Sequence, residues 1–210
     1  MSIEAVIFDL GGVVLGSPLH AIADYARDNG IPLGTINRVV VDTAPGGGWS
    51  RLERGEISME EFFDAFEHDC AEAGHSISAR TMMERIAETS IPRAAMLTAI
   101  GRIRERGLRT AALTNNWKPE SKSESATPGL ERLFDVFVES SVEGLRKPDP
   151  RIYELVCDRL GVAPAAAVFL DDIGSNLKTA RQLGMTTIKV EAPEPALAQL
   201  SDLLGFPLEG

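Results

Sequence analysis

Asp9 closes a short apolar run, Ala5-Val6-Ile7-Phe8, and leads into Leu10-Gly11-Gly12-Val13-Val14. If the run is a strand of an open parallel sheet, its carboxyl end is where ligands bind, and the glycines let the backbone approach them closely. An ordinary strand-to-loop turn has the same composition. A dinucleotide fingerprint fits poorly, because G-x-G-x-x-G must open a helix directly and the spacing here differs. Further along, Leu113-Thr114-Asn115-Asn116 offers a hydroxyl, an amide and backbone N–H groups. Such donors suit phosphate oxygens, although Thr and Asn also commonly end strands and begin turns. Lys147 stands before Pro148-Asp149-Pro150. A lone lysine there reads as a solvated surface charge, and its functional reading is a point charge that neutralises a phosphate or a carboxylate. Last comes Phe169-Leu170-Asp171-Asp172-Ile173-Gly174-Ser175-Asn176, with two adjacent carboxylates. They can cap a following helix, yet beside Asp9 they would repel unless a cation is shared. Three convergent carboxylates suit Mg²⁺, which takes hard oxygen ligands and keeps waters for phosphate to replace.

These residues converge only if the elements around them bring them together. Short apolar or β-branched runs at Ala5–Phe8, Thr110–Leu113, Val136–Val138, Ala167–Leu170 and Thr187–Val190 read as buried strands. Helical patterns alternate with the later ones: Met96, Leu97, Ile100 and Ile103 share a face ended by Gly107, and Leu177, Ala180 and Leu183 share one ended by Gly184. Asp149-Pro150 opens another helix, which runs to Leu160 and stops at Gly161. Alternating strands and helices predict an α/β fold, a doubly wound parallel sheet of Rossmann-like type.

Between the first two strands the chain carries helical signals and no convincing strand. Leu19, Ile22, Ala23 and Ala26 precede Gly30, Ser58 with Glu61 makes a capping box before Phe62, Phe63 and Phe66, and a flexible turn at Pro45–Gly48 adjoins Trp49. The expectation is a core of residues 1–15 and 91–210 with a small helical cap, residues 16–90, inserted after the first strand. Pro119–Gly129, rich in Ser, Glu, Lys and Pro, reads as a mobile loop. Trp49, Arg51 and Arg54 in the insertion read either as substrate contacts or, for the arginine pair, as plain solvated charges.

At 210 residues the chain is long enough for one core with an excursion, not for two full domains. Its formal charge of -10, with basic residues scattered, leaves no footprint for nucleic acid. An anionic substrate must therefore be held by a local cation or local N–H donors. Cys70 and Cys157 have neither disulfide-framework nor zinc spacing and read as reduced thiols. No leader and no membrane-spanning stretch is apparent, so a cytoplasmic location without membrane contact is expected.

In this order Asp9, Thr114, Lys147 and Asp171-Asp172 resemble the four motifs of the haloacid-dehalogenase-like hydrolases, and the resemblance covers essentially the whole chain. Within that family the chain looks most like the N-terminal phosphatase domain of soluble epoxide hydrolase and its bacterial stand-alone relatives. Leu113-Thr114-Asn115 with Trp117, Arg146-Lys147-Pro148, Asp171-Asp172-Ile173-Gly174 with Asn176-Leu177, and Leu52 with Gly55-Glu56-Ile57 carry that likeness. The resemblance implies that Asp9 attacks phosphorus, forming an aspartyl-phosphate. It implies Mg²⁺ on the Asp9 and Asp172 side chains and the Gly11 carbonyl, with Asp171 and Asn176 behind them. Thr114 and the Asn115 backbone would hold phosphoryl oxygens, Lys147 would offset charge on Asp9 and phosphate, and the insertion would be a lid.

The departure is Gly11, where phosphatases of the family carry an aspartate that protonates the leaving group and then activates water. Glycine spares the backbone ligand and removes the proton shuttle. Three readings stay open: a phosphatase of small phosphate esters, slowed or specialised by Gly11; a non-catalytic phosphate-binding or regulatory protein; and a metal-independent 2-haloacid dehalogenase, against which the pair Asp171-Asp172 argues. The expected partner is a small-molecule phosphate ester, the chain acting as monomer or homodimer. With no G-x-S-x-G and no room for an α/β-hydrolase, epoxide hydrolysis is expected to be absent.

Overall fold

A computed structural model describes residues 2–118 and 129–208. Most of the loop expected at Pro119–Gly129 lies outside the described residues. The strands are β1 (Ala5–Phe8), β2 (Arg109–Thr114), β3 (Val136–Glu139), β4 (Ala167–Asp171) and β5 (Thr186–Lys189). All pair in parallel in the order β3-β2-β1-β4-β5. The chain steps outward from β1 to β3, then crosses to the other side of β1 at β4. That reversal between β1 and β4 is the switch point at whose carboxyl edge an open α/β sheet forms its crevice.

Two-residue periodicity sorts the central strands onto two faces. Val6, Phe8, Ala112, Val168 and Leu170 pack with α6 (Ala94–Glu105) and α10 (Pro193–Leu204) through Met96, Ile100, Ile103, Leu197 and Leu200. Ala5, Ile7, Ala111, Leu113, Ala167 and Phe169 pack with α8 (Pro150–Leu160) and α9 (Gly174–Gln182) through Ile152, Tyr153, Val156 and Leu177. The three central strands, apolar on both faces except toward their ends, are covered on both, as a parallel sheet requires.

Helices α1 (Pro18–Asp28), α2 (Thr35–Asp42), α3 (Gly48–Glu53), α4 (Met59–Glu72) and α5 (Ala79–Thr89) all lie between β1 and β2. They enclose a hydrophobic cluster of their own, including Ile22, Tyr25, Ile36, Leu52, Met82 and Ile86 around an aromatic centre of Trp49, Phe62 and Phe66. The capping box at Ser58 and Glu61 is present and starts α4. Two chain crossings join this helical layer to the sheet: Gly16 N donates to Ile91 O (3.1 Å) and Arg93 N to Val14 O (2.8 Å), with Leu15 bridging Pro92. A Cβ on Gly16 would fall 2.0 Å from the Thr89 carbonyl oxygen, so the neck is this narrow only with glycine.

Candidate active site

Register decides which side chains meet. Phe8 pairs with Ala112 of β2 and Leu170 of β4, so Asp9, one residue on, emerges level with Asp171 and just below Thr114. The Asp9 N–H still donates to Leu170 O (2.9 Å), and the Leu10 N–H donates to Asp9 Oδ1 (2.7 Å), fixing the carboxylate as the strand ends. Leu10–Val14 then forms a wide, irregular turn closed by Leu15 N donating to Leu10 O. Arg93 ties it down by donating to the Gly12 carbonyl at 2.9 Å.

The turn needs glycine at one of its two glycine positions in particular. Gly12 has φ +78, and a Cβ there would lie 2.1 Å from Asp172 Oδ2. Gly11, at φ −63 and ψ 124, has a backbone open to any residue, and its Cβ would meet only the Pro18 ring at 3.2 and 3.3 Å.

Of the two readings of Lys147, the solvated surface charge falls away: the side chain is 1% exposed. Its Nζ lies 2.8 Å from Asp9 Oδ1 and 2.7 Å from Asp171 Oδ2. Asp171 is fully buried and further accepts from Ile173 N (2.7 Å) and Asn176 Nδ2 (3.1 Å to each oxygen), while Tyr153 donates to the Asn176 carbonyl. Asp172 is less enclosed and accepts a long hydrogen bond from Ser17 (3.5 Å). Asp9, Asp171 and Asp172 each place a carboxylate oxygen within 4.8 Å of the other two.

Thr114 is buried at the end of β2, its hydroxyl making a 3.5 Å hydrogen bond to the Asn115 carbonyl. Asn115 brackets the Lys147 backbone: Lys147 N donates to Asn115 Oδ1 (2.8 Å) and Asn115 Nδ2 donates to Lys147 O (3.0 Å). So the side chain of Asn115 is committed to holding Lys147. Asn116 pins the same turn to β3 through Glu139 and to the short helix α7 (Ser140–Glu143) through Ser140.

Burial first, and the neighbouring Asp171 and Asp172 next, push the Asp9 carboxyl up to about 8 against the opposing pull of Lys147. Burial and Asp171 raise Asp172 to about 6. Burial works against the Lys147 charge, but Asp171 and Asp9 outweigh it and hold its pKa above the ordinary value. Three carboxylates facing one ammonium leave a local surplus of negative charge, which adds to burial in raising the proton affinity of two of them. That is the donor set a hard divalent cation fits.

Other residues came together unforeseen. Glu53 at the end of α3 is buried and accepts from Arg146 Nε (2.5 Å), Asn115 Nδ2 (3.3 Å) and Trp49 Nε1 (2.9 Å). The signal available was its place four residues after Trp49, on the same helical face. Trp49 is a core residue of the helical layer. Arg54 pairs with Glu56 and donates to the Pro45 carbonyl.

A family model described as haloacid dehalogenase-like hydrolase matches residues 3–184. The mouse protein acyl-CoA dehydrogenase family member 10 is 43% identical over 99% of the chain, and pig bifunctional epoxide hydrolase 2 is 31% identical over 99%. The chain spans only 20% and 40% of those two proteins. A Mycobacterium tuberculosis phosphatase is 29% identical over 91% of the chain and 88% of its own length. Among solved structures, an enzyme of the same family from Bacteroides thetaiotaomicron, in complex with magnesium and inorganic phosphate, superposes with a TM-score of 0.66 at 20% identity, covering 92% of this chain and 98% of that one. No helix among the described residues is long and apolar enough to cross a membrane.

Proposed function

Because the chain belongs to the haloacid dehalogenase-like hydrolases, we propose that it is a Mg²⁺-dependent phosphatase of small phosphate esters that works through an aspartyl-phosphate on Asp9. One observation carries the reading. The Asp9 carboxylate is held 2.8 Å from a buried lysine and within 4.8 Å of two further carboxylates, at the switch point of the sheet. Relatives that are phosphatases, and a fold neighbour in complex with magnesium and phosphate, support it.

Asp9, Asp172 and the Gly11 carbonyl would hold Mg²⁺, which when bound would offset phosphate charge and keep Asp9 ionised. The Asp9 oxygen attacks phosphorus, and the P–O bond to the leaving group breaks with its electron pair going to that oxygen. Water then attacks the phosphorus of the aspartyl-phosphate, freeing inorganic phosphate and returning the carboxylate. Thr114 and the Asn115 backbone N–H receive phosphoryl oxygens, and Lys147 offsets charge on Asp9 and phosphate. The helical layer, residues 16–90, serves as the cap that excludes water and selects the leaving group.

Acid-quench trapping tests this. An aryl phosphate with Mg²⁺ should leave an acid-stable, hydroxylamine-labile phosphoryl group on Asp9, absent in Asp9→Asn. No such adduct, with phosphate still bound, would favour the second reading, a phosphate-binding regulator, which the missing carboxylate at Gly11 supports. The acidic pair Asp171-Asp172 opposes the dehalogenase reading.

A further inference from the structure

Glu53 is a carboxylate from the helical layer, yet two of its three partners belong to the sheet side of the molecule. Oε2 accepts from Arg146 Nε at 2.5 Å and from Asn115 Nδ2 at 3.3 Å, and Oε1 accepts from Trp49 Nε1 at 2.9 Å. Ser50, one turn earlier on α3, also receives Arg146 (Nη1 to Oγ, 3.3 Å). The same Asn115 amide nitrogen donates to the Lys147 carbonyl (3.0 Å), and its oxygen receives the Lys147 N–H (2.8 Å). Lys147 Nζ then reaches Asp9 and Asp171. A continuous set of hydrogen bonds therefore runs from α3 to the carboxylate at the end of β1.

We propose that Glu53 is a positioning residue: by engaging Arg146 and Asn115 when the helical layer lies against the sheet, it fixes the Lys147 backbone and aims the ammonium at Asp9. The inference deepens the phosphatase reading, on which its kinetic part rests. All three partners of Glu53 are donors, so both oxygens must accept. A glutamine would turn its own N–H₂ toward Trp49 or toward the Arg146–Asn115 side, and either choice sets donor against donor. Buried and 7% exposed, the carboxylate has little water to replace a lost partner. Plain packing of two layers needs no such acceptor; an apolar residue would serve it equally well.

Two measurements on Glu53→Gln test the proposal. The first is trace acetylation of metal-free protein, with Lys147 labelling read by peptide mass spectrometry against exposed Lys178 of the same molecule. The parent should protect Lys147, and the variant should raise the Lys147-to-Lys178 ratio by at least about tenfold, as expected when a local opening becomes cheaper by about 1.4 kcal/mol. The second is turnover of an aryl phosphate with Mg²⁺, where kcat should fall by roughly tenfold or more while KM changes little, because a misplaced group costs chemistry before it costs binding. Thermal melts establish that the variant is folded. If Glu53→Gln does not fold, Arg146→Met removes the same contact from the other side and should expose Lys147 equally. A parental labelling ratio in a folded form of either variant overturns the proposal. Failure of the phosphatase reading shows instead as a parent without aspartyl-phosphate, and leaves the labelling result standing on its own.

Discussion

Gly11→Asp should speed the turnover of alkyl phosphates, and the geometry allows the gain to be weighed against its cost. The Gly11 backbone lies at φ −63 and ψ 124, where an aspartate is at ease, so no conformational strain is added. The new Cβ would sit 3.2 Å from Pro18 Cγ and 3.3 Å from Pro18 Cδ, tight by a few tenths of an ångström. Overpacking costs typically about 1–3 kcal/mol in a full core, and a single contact with a partly exposed ring belongs at the low end. A positioned general acid and base contributes about 10²- to 10⁴-fold, or roughly 3–5 kcal/mol of barrier. Chemistry should win. In the parent, Asp9 should still attack an aryl phosphate, whose leaving group needs little protonation, while hydrolysis of the aspartyl-phosphate lacks a base from this position. Rapid-quench kinetics should therefore show a burst of aryl alcohol, a slow steady state, and far slower turnover of alkyl phosphates. In Gly11→Asp, alkyl turnover should rise by about 10²-fold and the burst should shrink. Gly11→Asp combined with Pro18→Ala separates crowding from chemistry, because it removes the ring carbons. Full-speed alkyl turnover by the parent with no burst, or no gain in either folded variant, would refute the reasoning.

Mg²⁺ affinity by calorimetry should fall at least about tenfold in Asp172→Ala, since the ion dehydrates reluctantly and needs both fixed carboxylates; unchanged affinity would remove Asp172 from the site. Protons compete for Asp9, raised to about 8, and Asp172, raised to about 6, so Mg²⁺ binding should strengthen as pH climbs from about 6 to about 8 and level off above. The same shift means that folded metal-free protein binds more protons than the unfolded chain between the ordinary carboxylate range and about 8. Its Tm should accordingly fall as pH rises through that window, and Asp9→Asn should flatten the fall. Lys147→Met should lower stability by about 3–5 kcal/mol in chelator, because it strands buried carboxylates without their cation, and Mg²⁺ should restore part of the loss; an unchanged melting curve would contradict the buried pair. Gly12→Ala, with its Cβ 2.1 Å from Asp172 Oδ2, should disturb Asp172 and weaken Mg²⁺ binding, whereas Gly11→Ala should bind nearly as the parent does.

Most of the sheet was legible because its signals are local. Four-residue apolar runs such as Ala5–Phe8 and Ala167–Leu170 can be buried on both faces only inside a covered parallel sheet, and they appear there to within a residue. Asp149-Pro150 and Gly161 mark the ends of α8 for equally local reasons, a side-chain cap and a left-handed closing residue. What the local chain by itself leaves open depends on distant partners. Nothing near Lys147 in the chain announces burial, since the carboxylates that make it tolerable arrive from β1 and β4. Glu53 sits in a charged stretch, Arg51 to Glu56, that reads as solvated surface; its role exists only once Arg146 and Asn115 are folded against α3. The part played by the Asn115 side chain is of the same kind: it holds the Lys147 backbone, thirty-two residues on, and only the fold brings the two together.

Adjacent and chemically identical, Asp171 and Asp172 illustrate how geometry assigns roles that spacing leaves equivalent. Alternation along β4 sends the side chain of Asp171 into the interior, where both of its oxygens are engaged by Lys147, Ile173 N and Asn176, and Asn176 is in turn held by Tyr153. A carboxylate so fully satisfied has no lone pair to spare for a ligand and serves as a fixed anion that keeps Lys147 charged. Asp172, one residue on, faces the turn after β1, with a weak hydroxyl donor and the bare backbone of Gly12 beside it. Burial, with Asp171 beside it, raises its affinity for protons, as burial does for Asp9. One divalent ion competing with protons there would satisfy both groups together. The buried anion thus supports the lysine and the other two are the candidate ligands, a division that follows from which side of a single strand end each carboxylate occupies.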